Sequence, residues 1–173
     1  MKGGDGGVEI LVDRNGYEQF LSILSELKER LENIESGAAE VCRDAVGDGW
    51  HDNFAYDELM RDEIKVTAKL KKMLLDGRNI KVIEEVKASA DMINIGDVLK
   101  VEVIYAEDDI EIFEVKLTGK YFPDSESPIQ EISLNSQMGR ALYLKNVHNK
   151  ILYKIHDEEV EIKVLEKNGN IVN

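Results

Sequence analysis

The chain has 173 residues, 33% of them charged, with a formal net charge of −13 and a sequence pI near 4.7. That balance excludes a non-specific grip on DNA phosphates, which needs clustered Lys and Arg, and no sequence-specific DNA binding is expected; it fits a protein that meets a basic surface or brings carboxylates to a cation. The single cysteine, Cys42, excludes an internal disulfide and a cysteine-rich zinc site, and with neither a bilayer-length apolar run nor a signal-peptide-like core in Met1–Gly7 the expected location is the cytoplasm, away from membranes.

Residues 1–12 open with Gly3, Gly4, Gly6 and Gly7 and are expected to be a flexible N-terminus. Asp13 and Asn15 are candidate caps for the helix that follows. Its apolar positions are Tyr17, Phe20, Leu24, Leu27, Leu31, Ile34, Ala38, Val41 and Ala45, a strict heptad seam interrupted only by the weak helix former Gly37. The pattern stops at the turn Gly47-Asp48-Gly49. It resumes after Asp52-Asn53 with Tyr56, Leu59, Val66, Leu70 and Met73, with Glu63 as the odd member, and ends at Asp76-Gly77. Two heptad helices joined by so short a turn must fold back on each other to bury their seams. Residues 13–79 are therefore predicted to be an antiparallel coiled-coil hairpin, a monomeric arm roughly 45 Å long at 1.5 Å per residue.

From Ile80 the period changes. Leu99, Val101, Val103 and Tyr105 alternate with other residues. Ile110, Ile112, Val115 and Leu117 follow Glu107-Asp108-Asp109, and Ile151, Tyr153 and Ile155 precede Val160, Ile162 and Val164. These four runs read as antiparallel strands with one buried face. Ser136 to Lys145 reads as a short helix that buries Leu142. Residues 80–173 thus form a small β-rich domain, and the whole chain is of the α+β class.

The chemistry-bearing feature is the hairpin tip. Glu40–Glu63 holds eight acids against Arg43 and Arg61, a net of −6. A charge run of this kind is usually a solvated face. Crowded at a protruding turn, the carboxylates repel one another, and the cluster makes physical sense against a hard cation such as Mg²⁺. Asp48 and Asp52 flank the turn and are the candidate functional pair, with Asp44 and Asp57 adding to the local field. Trp50 either plugs the helix junction or is exposed for a partner. His51, His148 and His156 match no metal-ligand spacing.

Three stretches resemble the GreA/GreB family of bacterial transcript cleavage factors. Val12-Asp13-Arg14-Asn15-Gly16-Tyr17 looks like the family opening, Gly47-Asp48-Gly49-Trp50-His51-Asp52-Asn53-Phe54-Ala55-Tyr56 looks like its acidic tip, and Ile132-Ser133-Leu134-Asn135-Ser136-Gln137-Met138-Gly139-Arg140-Ala141-Leu142 looks like its second-domain motif. The resemblance runs from about Val12 to about Leu165. It implies an FKBP-like C-terminal domain that docks on bacterial RNA polymerase at the secondary channel, with Asn135, Ser136, Gln137 and Met138 as partner-binding residues. It also implies a tip that reaches the polymerase active site, where Asp48 and Asp52 help hold an Mg²⁺ shared with polymerase, supported by Asp44, Trp50, Asn53 and Tyr56. The chain would then be an accessory factor, not itself an enzyme; it stimulates cleavage of backtracked RNA and meets the nascent 3′ end only indirectly. Departures stand at the tip, where Asp48 lies four positions before Asp52 and the family's acids lie three apart, and at Gln137 and Leu144, where the family has Pro and often Gly. Two rival readings follow: a Gre-like regulator that occupies the channel without stimulating cleavage, and an FKBP-type prolyl isomerase. The isomerase would need an aromatic pocket, and residues 80–173 offer only Tyr105, Phe113, Tyr121, Phe122, Tyr143 and Tyr153.

Overall fold

The computed structural model describes residues 8–44, 54–84, 89–106, 109–155 and 158–172. The fold is α+β: two long helices and a mostly antiparallel sheet. Helix α1 spans Arg14–Asp44 and α2 spans Phe54–Gly77. The first starts where the sequence caps it, because the Asp13 carboxylate accepts the Gly16 N–H at 2.6 Å and its carbonyl accepts the Tyr17 N–H at 3.0 Å.

Contacts divide the chain into two compact units, one built on Phe20–Ile80 and the other on Glu9–Gln19 with Lys81–Asn173. In the first, the helices run antiparallel. Phe20 lies against Gly77, Arg30 donates to Asp62 at 2.7 Å, and Gly37 faces Leu59. The heptad seam is the buried stripe: Phe20, Leu27 and Ile34 are buried from α1, Val66 and Met73 from α2. Leu24, Leu31 and Ala38 are half-buried between them, as are Tyr56, Leu59, Glu63 and Leu70 on the other helix. The exposed Arg30–Asp62 pair holds the Asp62 carboxyl below its ordinary value through that hydrogen bond, and as a solvated ion pair it adds little to stability. Tyr17, placed first in the expected seam, is 37% exposed in the first turn of α1, ahead of the paired stretch.

The second unit contains strands β1 (Ile10–Val12), β3 (Val98–Ala106), β4 (Asp109–Thr118), β5 (Gln130–Ser133), β6 (Ile151–Ile155), β7 (Glu158–Lys167) and β8 (Asn170–Ile171), helix α3 (Gln137–Leu142), and, from Lys81 on, strand β2 (Ile80–Val82). The main sheet runs β5-β4-β3-β7-β6, with β8 paired to β7; β1 and β2 form a separate two-stranded sheet. Leu99, Val101 and Val103 on β3, Val115 and Leu117 on β4, and Val160 and Ile162 on β7 point to one face and are buried there. Helix α3 packs against β5 and β6 and places Leu142 in the same core, fully buried.

Two expectations are corrected. Residues 10–12 are a strand, not part of a loose terminus, and Val12 is fully buried; the glycines end at Gly7, and Ile10-Leu11-Val12 has enough apolar surface to pack. Ile110 and Ile112 do not share the buried face with Val115 and Leu117: the even-numbered residues of β4 lie on the opposite side, and these two are 50% and 56% exposed. The four expected runs pair antiparallel, and the sheet also holds a strand outside them, β5, which runs parallel to β4 from Val115–Gln130 to Thr118–Ser133.

Candidate functional site

At the hairpin end, the described part of α1 runs to Asp44 and that of α2 starts from Phe54. Asp48, Trp50, Asp52 and Asn53 lie outside the described residues, as does the side chain of Asp44. Tyr56 is half-buried in the first turn of α2, beside Asp57, an acid that complements the positive end of the helix. Among the described residues no group of three His, Cys, Asp or Glu is arranged to hold a metal, and no helix is long and apolar enough to cross a membrane.

The second-domain motif is a lock built from polar contacts. Asn135 acts as a substitute strand: its Oδ1 accepts the Leu11 N–H and its Nδ2 donates to the Leu11 carbonyl, both at 2.8 Å. Ser136 caps α3, with its Oγ accepting the Gly139 N–H at 2.9 Å and donating to the Ser133 carbonyl at 2.8 Å. Gly139 is required by space, since a Cβ there would stand 2.0 Å from the Ser133 oxygen. Arg140 donates to the Glu9 carbonyl at 2.7 Å. Gly16 is required in the same way, against the Gly119 oxygen at 2.1 Å. Of the four residues expected to meet a partner, Asn135 and Ser136 direct their polar atoms inward, Gln137 is exposed, and Met138 is half-buried on a surface groove.

That groove has a volume of about 630 Å³ and is lined by Tyr105, Glu111, Ile112, Phe113, Gln130, Ile132, Met138 and Tyr153. Three of the six aromatics of the domain therefore converge on it. Burial raises the Tyr105 and Tyr153 hydroxyls above the usual range, Tyr105 also through the Glu111 carboxylate that it donates to at 3.3 Å. Sequence reasoning missed this convergence because it depends on strand β6, which brings Tyr153 from far along the chain to the hairpin of β3 and β4 that carries Tyr105 and Phe113.

It also missed Glu131. The side chain is 2% exposed, ion-paired with Lys120 at 2.9 Å and Lys116 at 3.4 Å, and accepts the Asp124 N–H at 2.9 Å. Burial alone would raise its pKa, but the Asp124 amide, Lys120 and Lys116 together outweigh burial and hold it below the usual carboxylate range. Its contacts tie β4, β5 and the connection between them into one unit. A second, smaller cavity of about 390 Å³ lies beside His148 and Lys167. Lys167 is committed there to Asp97 at 3.0 Å and to the carbonyls of Ala90 and Met92.

No protein-family model matches the sequence. It is similar to transcription elongation factor GreA of Clostridioides difficile (strain 630), 24% identical over 163 residues that cover 91% of this chain and 95% of the relative. It is similar to GreA of Acetivibrio thermocellus, 24% identical over 148 residues that cover 83% and 90%. The structure is similar to that of Thermus aquaticus Gfh1, at 19% identity and a TM-score of 0.44, covering 94% of this chain and all of that one. The two curated relatives support the family resemblance carried by the three motifs.

Proposed function

We propose that this Gre-type chain binds bacterial RNA polymerase at its secondary channel and stimulates cleavage of backtracked nascent RNA through its acidic tip. The observation that carries the reading is similarity to two GreA factors along most of the chain, with three family motifs in the family's order. The second-domain motif, with Gln137 and Met138 at the surface, would contribute to the polymerase contact. The helical pair would carry the tip into the channel.

Asp48 and Asp52 are the proposed functional pair. Two carboxylates suit a hard divalent ion but make an incomplete site, so Mg²⁺ would be held jointly with polymerase. When bound, the ion would stabilise charge on the oxygens of the phosphodiester being hydrolysed. The chain's own part is to bring negative charge to that place, and the reaction belongs to polymerase; the chain is an accessory factor.

The tip sequence favours a second reading. Between Asp48 and Asp52 stand Gly49, Trp50 and His51, one residue more than between the family's acids. A carboxylate displaced by an ångström can lose such chemistry, and the chain would then occupy the channel and modulate polymerase without stimulating cleavage. A stalled, backtracked elongation complex from the native host separates the two. Shortened RNA that disappears with Asp48→Ala/Asp52→Ala, at unchanged polymerase affinity, supports the first. Binding without shortened RNA supports the second, and no binding refutes both.

A further inference from the structure

The two edges of β4 are unequally covered. It pairs with β3 along nearly its whole length, from Asp109 to Lys116, but with β5 only from Val115 to Thr118. Among the described residues no strand pairs with the outer edge of the stretch that precedes Val115. The direction of the exposed groups follows from neighbouring bonds. The Leu117 amide donates to Asp97 and its carbonyl accepts from Gly96, both on the β3 side, whereas the Thr118 carbonyl accepts from Leu134 on the β5 side. Alternation along the strand therefore turns the N–H and C=O of Ile110 and Ile112 outward.

This edge borders the aromatic groove. Phe113, Tyr105, Tyr153 and Met138 line it, and Ile112 stands at its rim, 56% exposed. Bare edges invite pairing, and proteins commonly guard them with charge. Here Asp109, Glu111 and Glu114 lie along the edge strand and all are exposed. Two copies paired through this edge would set carboxylates beside carboxylates, which disfavours a second copy of the chain. A strand carrying Lys or Arg would meet opposite charge along the same edge.

We propose that the outer edge of β4 at Ile110–Glu114 takes an extended segment of a partner protein, with alternating basic and apolar residues, as an added strand. Main-chain bonds to Ile110 and Ile112 supply the pairing; with the segment's alternation matched to that of β4, its basic residues meet Asp109 and Glu111 on the groove side and its apolar residues cover the exposed Ile110 and Ile112 on the other. The inference rests on the sheet alone and is independent of the reading at the hairpin tip.

The probe is a synthetic nine-residue peptide of alternating Lys and Val, titrated into the full-length chain by calorimetry, with hydrogen exchange read at the Ile110 and Ile112 amides. Saturable binding that slows exchange at Ile112 is expected. The same peptide N-methylated at alternate amides keeps its charge but loses one pairing edge, and should bind at least about tenfold more weakly. Ile112→Pro, which removes an outward N–H at an edge position that tolerates proline, should weaken binding similarly while the thermal melt reports an intact fold. Asp109→Lys with Glu111→Lys, two exposed acids on one face of the strand, gives an independent loss. Absence of saturable binding overturns the proposal, and so does binding indifferent to N-methylation, which would be charge attraction alone. Self-association of the free chain that Ile112→Pro abolishes would also overturn it, making a second copy the occupant.

Discussion

Replacing Asn135 by Ala tests the lock between β1 and the second-domain motif. The side chain makes two 2.8 Å bonds to one residue, accepting the Leu11 N–H and donating to the Leu11 carbonyl. Each is worth about 1 kcal/mol net, and a half-buried backbone pair left without partners adds to the loss, so a destabilisation of about 2–3 kcal/mol is expected. Urea unfolding followed by circular dichroism measures the total, and hydrogen exchange at Leu11 reports the local opening. Asn135→Asp separates the two bonds. It keeps an acceptor for the Leu11 amide but sets a carboxylate against the Leu11 carbonyl. Its stability should fall at least as far, while the Leu11 amide keeps more protection than in the Ala variant. A loss below about 0.5 kcal/mol in Asn135→Ala, with Leu11 exchange unchanged, would refute the reasoning.

Leu27 is 9% exposed in the helix seam, so Leu27→Asp buries an unpaired charge and should cost several kcal/mol; unaltered helix content and melting temperature would refute the seam. Glu131 is held below its ordinary value of 4.5, so its stabilisation is full above that value and is lost as pH falls from there through the lowered folded value; Glu131→Gln should flatten the acid limb of a melting-temperature profile, and an unchanged limb would exclude the linkage. Leu144 has a φ of 59°, in the left-handed region, so Leu144→Gly should be more stable than Leu144→Ala by about 1 kcal/mol, although both lose the same packing; the opposite order in denaturant melts would refute the strain.

How much could be read in advance depended on whether the signal was local. The helix seam was legible because spacings of three and four encode which residues touch, and Asp13 announced its helix by position. Strand β4 misled because apolar residues stand on both of its faces: Ile110 and Ile112 continue the hydrophobic run while their side chains point away from Val115 and Leu117. Strand β5 is the four residues Gln130–Ser133, too short for periodicity, and its parallel pairing comes from a connection that no pattern marks. Glu131 gave no sign, because the lysines that sustain it lie 15 and 11 positions away. The resemblance marked the motif around Asn135 as partner-binding, whereas the structure shows Asn135 and Ser136 bonded within the chain; Ser136, three residues before Gly139, carried a capping signal that sequence reasoning did not use. Leu144, odd against the family's frequent Gly, proves to occupy a backbone conformation that glycine adopts without strain.

The compact unit that holds the sheet begins far from where its sheet begins. Glu9–Gln19 belongs to it, and the Leu11 backbone finds its side-chain partner 124 positions later. On a ribosome, that first segment must wait until Asn135 has emerged, whereas the helical stretch is synthesised without interruption in between. A fragment cut at residue 80 for binding work would lack the partner of Asn135, the Glu9 carbonyl that receives Arg140, and the Asp13 amide that donates to Gly119. Supplying residues 9–19 as a separate peptide should restore such a fragment, with the Leu11 amide regaining protection when the two are mixed.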